Sequence, residues 1–256
     1  MRRALLSDLF STLVPGGEAE RDAIHEEMAA VLGVDPGAFA REFEATSRER
    51  FTGAYGDLPN TLRVITRRAG GNPTDEQVQQ ATKVRQGLSR RLVDAVPAGT
   101  LATLAELRSA GWRIGLVSNI TAHTELQWPA SPLPPYFDAT AFSTQVGAAK
   151  PDPTIYLAAC TALDVPPESC VYVGDGRDNE LQAAAALGMY TIRTTEHSDS
   201  DPTWTGPTIA SFTELAAVIT PLREGAGTVR GEDQDRVVGA DDGHDSAQGL
   251  SSRRRR

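Results

Sequence analysis

An open parallel α/β sheet interrupted by a block of helices is the fold that this sequence predicts, on three observations. Short apolar runs at residues 4–9, 113–117, 139–142, 170–173 and 190–192 have the length of buried strands. From Pro97 onward these runs alternate with helical periodicity, as in a parallel sheet covered by helices on both faces. The stretch between the first run and Pro97 is helical in pattern throughout. Residues 1–15 and 97–222 are therefore expected to form one doubly wound, Rossmann-like core, with residues 16–96 inserted into it as an all-helical domain. The chain's 256 residues, 40% of them apolar, suffice for such a core and a smaller insert.

Taken in order, Ala4 to Leu9 is a buried strand that carries Asp8 at its end. In the insert, Ile24, Met28, Val31 and Leu32 form one apolar stripe, and Phe39 with Phe43 a second. Leu58, Leu62 and Ile65 form a third, and Val84, Leu88 and Leu92 a fourth, whose helix starts with a Thr74/Gln77 capping box. In the core, Asp152 and Pro153 suit the cap and first turn of a helix, and Gly188 suits the end of another. From residue 223 to 256 the composition shifts to Gly, Asp, Arg and Ser without aromatics. Such a segment cannot bury enough apolar surface to offset its ordering entropy, so it is expected to be disordered, with Arg253 to Arg256 as a solvated basic end.

A formal charge of −9 argues against a nucleic-acid partner, because phosphate-backbone affinity needs clustered lysine and arginine. No apolar stretch has the length of a membrane span, and Asp8 interrupts the amino-terminal apolar run before a signal segment develops. Cys160 and Cys170 are the only cysteines, which fits a reducing cytoplasm without a disulfide framework. A small metabolite is the expected ligand.

Polar groups gather at the carboxyl ends of the expected strands, where open parallel sheets bind ligands. In Asp8-Leu9-Phe10-Ser11-Thr12, a carboxylate past a buried strand can act as nucleophile, and the amides and hydroxyls of Ser11 and Thr12 can donate to an oxyanion. Ser118-Asn119 follows the second run and offers a hydroxyl and an amide to a phosphoryl group. Lys150, in Gly147-Ala148-Ala149-Lys150-Pro151-Asp152-Pro153, has small neighbours on one side and direction-fixing prolines on the other. Gly174-Asp175-Gly176-Arg177-Asp178-Asn179-Glu180 follows the fourth run, and two acidic groups with an amide there can hold Mg2+, which prefers hard oxygen ligands. Each segment alone is an ordinary turn, cap or surface charge; their agreement on one edge of the sheet is the signal.

In this order the segments resemble the motifs of the haloacid dehalogenase superfamily, over nearly all of residues 4–195, with the helical insert where members with a helical cap carry theirs. The resemblance implies a hydrolase with Asp8 as nucleophile, Ser118 as phosphate-binding hydroxyl and Lys150 as the neutralising cation. It further implies Mg2+ held by Asp8, the main-chain carbonyl of Phe10 and Asp175, with Asn179 and Asp178 as secondary groups. Asn179 stands where the family more often has aspartate, which softens that site.

Phe10 departs from the family's phosphatases, which usually place a second aspartate there as general acid and base. An aromatic at this position resembles the metal-free haloacid dehalogenases, but those carry an uncharged Ser-Ser-Asn segment where this chain has Gly174-Asp175-Gly176. An acid at Asp175 is expected to face a cation, since it would otherwise repel Asp8. The expectation is thus a Mg2+-dependent phosphatase of a small phosphate monoester. The alternatives are a 2-haloacid dehalogenase working through an ester on Asp8, and a catalytically inactive binding protein. In the insert, Arg48, Arg50 and Tyr55 are candidates to read the substrate, although most of the three are expected to be solvated helix-face residues; His25, His123, His197 and His244 are assigned surface or structural roles.

The missing acid has a measurable consequence. Alkoxide leaving groups need a proton in the transition state, whereas phenolates and carboxylates depart with little help. Rates are expected to rise steeply with leaving-group acidity across a series of aryl and alkyl phosphates, and Phe10→Asp to flatten that dependence. A flat dependence in the natural protein would show that another residue supplies the proton.

Overall fold

The computed structural model describes residues 4–224; the segment from residue 225 to 256 lies outside the described residues, as does His244. Six strands, β1 (Ala4–Ser7), β2 (Arg113–Ser118), β3 (Ala139–Phe142), β4 (Cys170–Gly174), β5 (Tyr190–Thr194) and β6 (Thr208–Ile209), pair in the order β3-β2-β1-β4-β5-β6, every pair parallel. Five of them lie on the expected apolar runs. The sixth has two residues, too few for any periodicity to register.

β1 is central, and all four of its residues are buried. Its alternation serves two cores. Leu5 joins Ile114, Leu116, Val171, Val173 and Ile192 on one face, while Leu6 joins Val117, Cys170 and Tyr172 on the other. A strand buried on both faces reads as a continuous apolar run, which is why it was visible in the sequence. Gly115 on β2, which pairs with Leu6, keeps this packing close: a Cβ there would lie 2.7 Å from Leu6 Cδ2.

Between β1 and β2 the chain forms α1 (Glu18–Leu32), α2 (Pro36–Ala45), α3 (Ser47–Phe51), α4 (Leu58–Arg68) and α5 (Asp75–Asp94). Met28, Leu32, Phe39, Phe43, Leu62, Ile65 and Val78 from these helices bury one another in an apolar cluster separate from those on the sheet. Their starts are defined chemically. Asp35 accepts from the Ala38 amide at 2.8 Å and Asp57 from Asn60 at 2.8 Å, and Thr74 and Gln77 exchange both capping-box bonds.

The remaining helices are α6 (Ala98–Ser109), the single turns α7 (Ala122–Glu125) and α8 (Ser143–Val146), α9 (Pro153–Ala162), α10 (Glu180–Ala186) and α11 (Leu215–Glu224). Leu104 and Leu107 of α6 and Leu215 and Ile219 of α11 cover the Leu5 face. Ile155 and Tyr156 of α9 and Leu181 and Ala184 of α10 cover the Leu6 face. Asp152 caps α9 through the Thr154 amide at 2.9 Å. The strand order reverses between β1 and β4, so the loops after these two strands diverge and leave a crevice at their carboxyl ends. Asp8 follows β1 and Asp175 follows β4. Among the described residues, no helix is long and apolar enough to cross a membrane.

Candidate active site

Asp8 extends β1 by one residue, its amide donating to the Val173 carbonyl at 3.0 Å, so the sheet itself fixes where its carboxylate stands. Lys150 Nζ donates to Asp8 Oδ1 at 2.5 Å and to Glu180 Oε2 at 2.6 Å. The exposures of Asp8, Lys150 and Glu180 are 5%, 7% and 0%, so this is an ion triad inside the protein. Lys150 is held from behind by Asn119, whose Oδ1 accepts from the Lys150 amide at 2.7 Å and whose Nδ2 donates to the Lys150 carbonyl at 3.2 Å.

Glu180 opens α10 and has both carboxylate oxygens engaged. Oε2 also accepts from the Tyr172 hydroxyl at 2.6 Å, and Oε1 accepts from the Gly176 amide at 3.0 Å. A side chain on Gly174 would collide with this carboxylate, so glycine is needed at the end of β4. Asp175, also buried, accepts from Ser200 Oγ at 2.5 Å and from the Arg177 amide at 3.2 Å. Asp8, Asp175 and Glu180 each offer a carboxylate oxygen within 4.8 Å of the others'.

Three buried acids facing one ammonium set the electrostatics. Burial raises Asp8 above the ordinary carboxylate range against the pull of Lys150, and the Asp175 charge raises it further. Burial likewise pushes Glu180 up to about 8, with Lys150 opposing. Burial alone would lower Lys150, but Asp8 and Glu180 outweigh it and hold the ammonium above its usual range. A divalent cation would relieve the excess of negative charge, and the hard oxygens of Asp8 and Asp175 suit Mg2+. Glu180, with its oxygens spent on Lys150, Tyr172 and Gly176, is placed to hold the lysine.

The other expected residues surround this centre. Thr12 Oγ1 donates to Asp8 Oδ2 at 3.3 Å, and Ser11 adopts a left-handed backbone (φ 60°) with its hydroxyl 3.4 Å from Glu18 Oε1. Ser118 Oγ, at the end of β2, is buried and has no hydrogen-bond partner among the described residues. A cavity of about 370 Å³ opens in front of Asp8, lined from the core by Phe10, Ser11, Asn119, Lys150 and Asp175.

Asp178 and Asn179 both take left-handed backbone conformations (φ 59° and 56°) and are exposed; Asp178 lines the cavity and accepts from Asn119 Nδ2 at 3.0 Å, outside the group of Asp8, Asp175 and Glu180. Glu180, at the start of the helix after that turn, is the second acid paired with Lys150 beside Asp8, and the sequence reading gave it no role. Its signals were Gly174 and its place in the first helical turn. Of the insert residues singled out, Arg50 lines the cavity whereas Arg48 and Tyr55 do not. Arg21, His25 and Arg85, the arginines unremarked in the sequence, line it as well.

A family model described as haloacid dehalogenase-like hydrolase matches residues 2–188. The chain belongs to the haloacid dehalogenase-like hydrolases. Among related hydrolases, a glyceraldehyde 3-phosphate phosphatase of Methanopyrus kandleri is 30% identical over 75% of this chain and 84% of its own length. Protein CbbY of Rhodobacter capsulatus is 26% identical over 75% of this chain and 85% of its own. A phosphatase structure from Thermococcus onnurineus superposes with a TM-score of 0.60 at 21% identity, covering 85% of this chain and 98% of that one. An L-2-haloacid dehalogenase from Xanthobacter autotrophicus also reaches 0.60, at 15% identity over 86% and 98%. At such identities the structural likeness establishes the shared hydrolase fold.

The different stations of Glu180 and Asp178 separate in stability. Glu180→Ala leaves a buried ammonium with one partner and strands the Tyr172 hydroxyl, so urea unfolding is expected to show a loss of about 3–5 kcal/mol. Asp178→Ala is expected to change stability by less than about 0.5 kcal/mol, as for most exposed side chains. Equal losses would contradict the triad.

Proposed function

We propose that this hydrolase is a Mg2+-dependent phosphatase of a small phosphorylated metabolite, with Asp8 carrying the phosphoryl group as an aspartyl-phosphate. The observation that supports it most is Asp175, a buried carboxylate whose oxygen lies within 4.8 Å of one on Asp8. A metal-free dehalogenase has no use for a second acid that repels its nucleophile; a metal site does. Relatives named as phosphatases of small phosphorylated compounds, among them the Methanopyrus kandleri protein, support the same reading. Helices α1–α5 are taken as the cap that closes over the substrate. With only two cysteines in the chain, this reading takes a reducing cytoplasmic setting.

In this mechanism an Asp8 carboxylate oxygen attacks phosphorus, the bond from phosphorus to the ester oxygen breaks, and the leaving group departs as an oxyanion that takes its proton from solvent. Water then attacks the aspartyl-phosphate at phosphorus and gives up a proton to solvent, the bond from phosphorus to the Asp8 oxygen breaks, and inorganic phosphate and the free Asp8 carboxylate result. Lys150 Nζ spreads charge over the phosphoryl oxygens, and the unpartnered Ser118 hydroxyl donates to one of them. Asn119 keeps Lys150 in place through its backbone, and the Ser11–Thr12 turn presents donors beside Asp8. Asp8, Asp175 and the main-chain carbonyl of Phe10 would hold Mg2+, which when bound supplies positive charge against the carboxylates and the phosphoryl oxygens.

Phosphate release from a panel of sugar and small-acid phosphates is expected to stop on chelation and to return with Mg2+. Asp8→Asn is expected to abolish it while leaving the fold intact. Full activity in chelator, with halide released from 2-haloacids, would move the protein to the dehalogenase alternative.

A further inference from the structure

In the same cavity as the acidic centre, the helices of the insert place three arginines, two of them buried with guanidinium nitrogens that have no hydrogen-bond partner among the described residues. Arg85 of α5 is 6% exposed, and its Nε and Nη1 have no hydrogen-bond partner among the described residues. Arg50 of α3 is 7% exposed; its Nη2 donates to the Phe43 carbonyl at 2.8 Å and its Nε is unpartnered. Both guanidinium groups lie over the Phe43 ring, at 3.9 Å for Arg50 and 5.4 Å for Arg85. Arg21 of α1 completes the group, its Nε donating to the Gly16 carbonyl at 2.6 Å and its guanidinium 4.9 Å from the centre of the Phe10 ring.

Among the described residues, none of these arginines forms an ion pair. The carboxylates that line the cavity from the insert, Glu18, Asp22 and Glu44, are all exposed, and Glu18 is paired with Arg177 at 3.0 Å. His25, its ring centre 4.3 Å from that of Phe43, is lowered to about 4 by burial and then by the neighbouring arginines, so it is neutral at pH 7 and adds a further polar group. Burial lowers Arg85 to about 9, with Arg21 and Arg50 adding to the shift, and lowers Arg50 to about 10 against the pull of Glu44, with Arg21 adding to it. Burying unanswered guanidinium groups is costly, and a chain that keeps them has a use for the charge.

We infer that Arg21, Arg50 and Arg85 form a second oxyanion subsite, so that the substrate carries a carboxylate or a second phosphate at the end remote from the ester that Asp8 cleaves. The planar fork of arginine matches either group by paired hydrogen bonds, and the Phe43 ring holds the forks in place. This rests on the phosphatase reading for the role of the opposite end. It adds that the insert selects by charge.

The test is binding of inert phosphonates to the Mg2+-loaded protein by calorimetry. Phosphonoacetate, 3-phosphonopropionate and propane-1,3-bisphosphonate are compared with ethyl- and propylphosphonate, which lack the second charge. At least one doubly anionic probe is expected to bind about tenfold or more tightly than its neutral-tailed counterpart, the scale of a charge-assisted hydrogen bond. Whether a carboxylate or a phosphonate tail binds better identifies the natural group. Arg85→Met and Arg50→Met are each expected to bring the ratio towards one, while the ligand-free Arg85→Met protein melts no lower than the parent, since an unanswered buried charge has been removed. Arg50→Met carries the test if the other variant does not fold.

Equal affinities at every spacer length, or a preference that survives both substitutions, would overturn the inference. So would a large fall in melting temperature with the preference retained, which marks a structural arginine. Hydrolysis of an aryl phosphate without any preference would sink the subsite and leave the phosphatase reading standing; no binding and no hydrolysis would sink both.

Discussion

The ammonium of Lys150, buried between Asp8 and Glu180, is the interaction on which the site depends. An ion cluster inside a protein gains little net stability, because desolvation offsets most of the attraction, but removing one member leaves the others stranded. The local sequence is accordingly committed to it. Asn119 fixes the lysine's backbone, Tyr172 and the Gly176 amide saturate Glu180, and Gly174 leaves room for that carboxylate. The triad spans three carboxyl-terminal loops of the sheet, so the Asp8 carboxylate, the proposed nucleophile, is aimed by the fold as a whole.

Much of this was legible in the sequence, and the reason is physical. β1 is buried on both faces, which produces a continuous apolar run, and its position beside the strand-order reversal makes the residue after it a natural site. Glu180 was hidden because Asp178 and Asn179 precede it and look like better ligands; Asp and Asn are the non-glycine residues that most often turn left-handed, but that tendency alone does not place a turn. β6 was hidden by its length. Arg85 did leave a trace: it occupies the same helical face as Val78, Ala81, Leu88 and Leu92, so it is a charge within an apolar stripe. A charge there is either compensated or functional.

The two ends of the cavity impose opposite electrostatic demands. At the sheet end, excess carboxylate awaits a cation; at the insert end, excess guanidinium awaits an anion. Each is costly in the free protein and is relieved when the cavity fills, which is the usual trade of stability for function at a binding site. Phe10 lies between them, its ring beneath Arg21 where a general acid stands in related phosphatases. Under the proposed mechanism the site works by charge neutralisation more than by proton transfer.

The account's central claim is that phosphorus becomes bonded to Asp8 during turnover. The direct measurement is to quench the reaction with acid during steady-state hydrolysis, reduce with borohydride, and sequence the amino-terminal peptide by mass spectrometry. An acyl phosphate at Asp8 is reduced to homoserine, so the account predicts that mass change at residue 8 in the natural protein and its absence without substrate. An unmodified Asp8 under conditions of rapid turnover, or the reduced residue at Asp175 or Glu180 in its place, would contradict it.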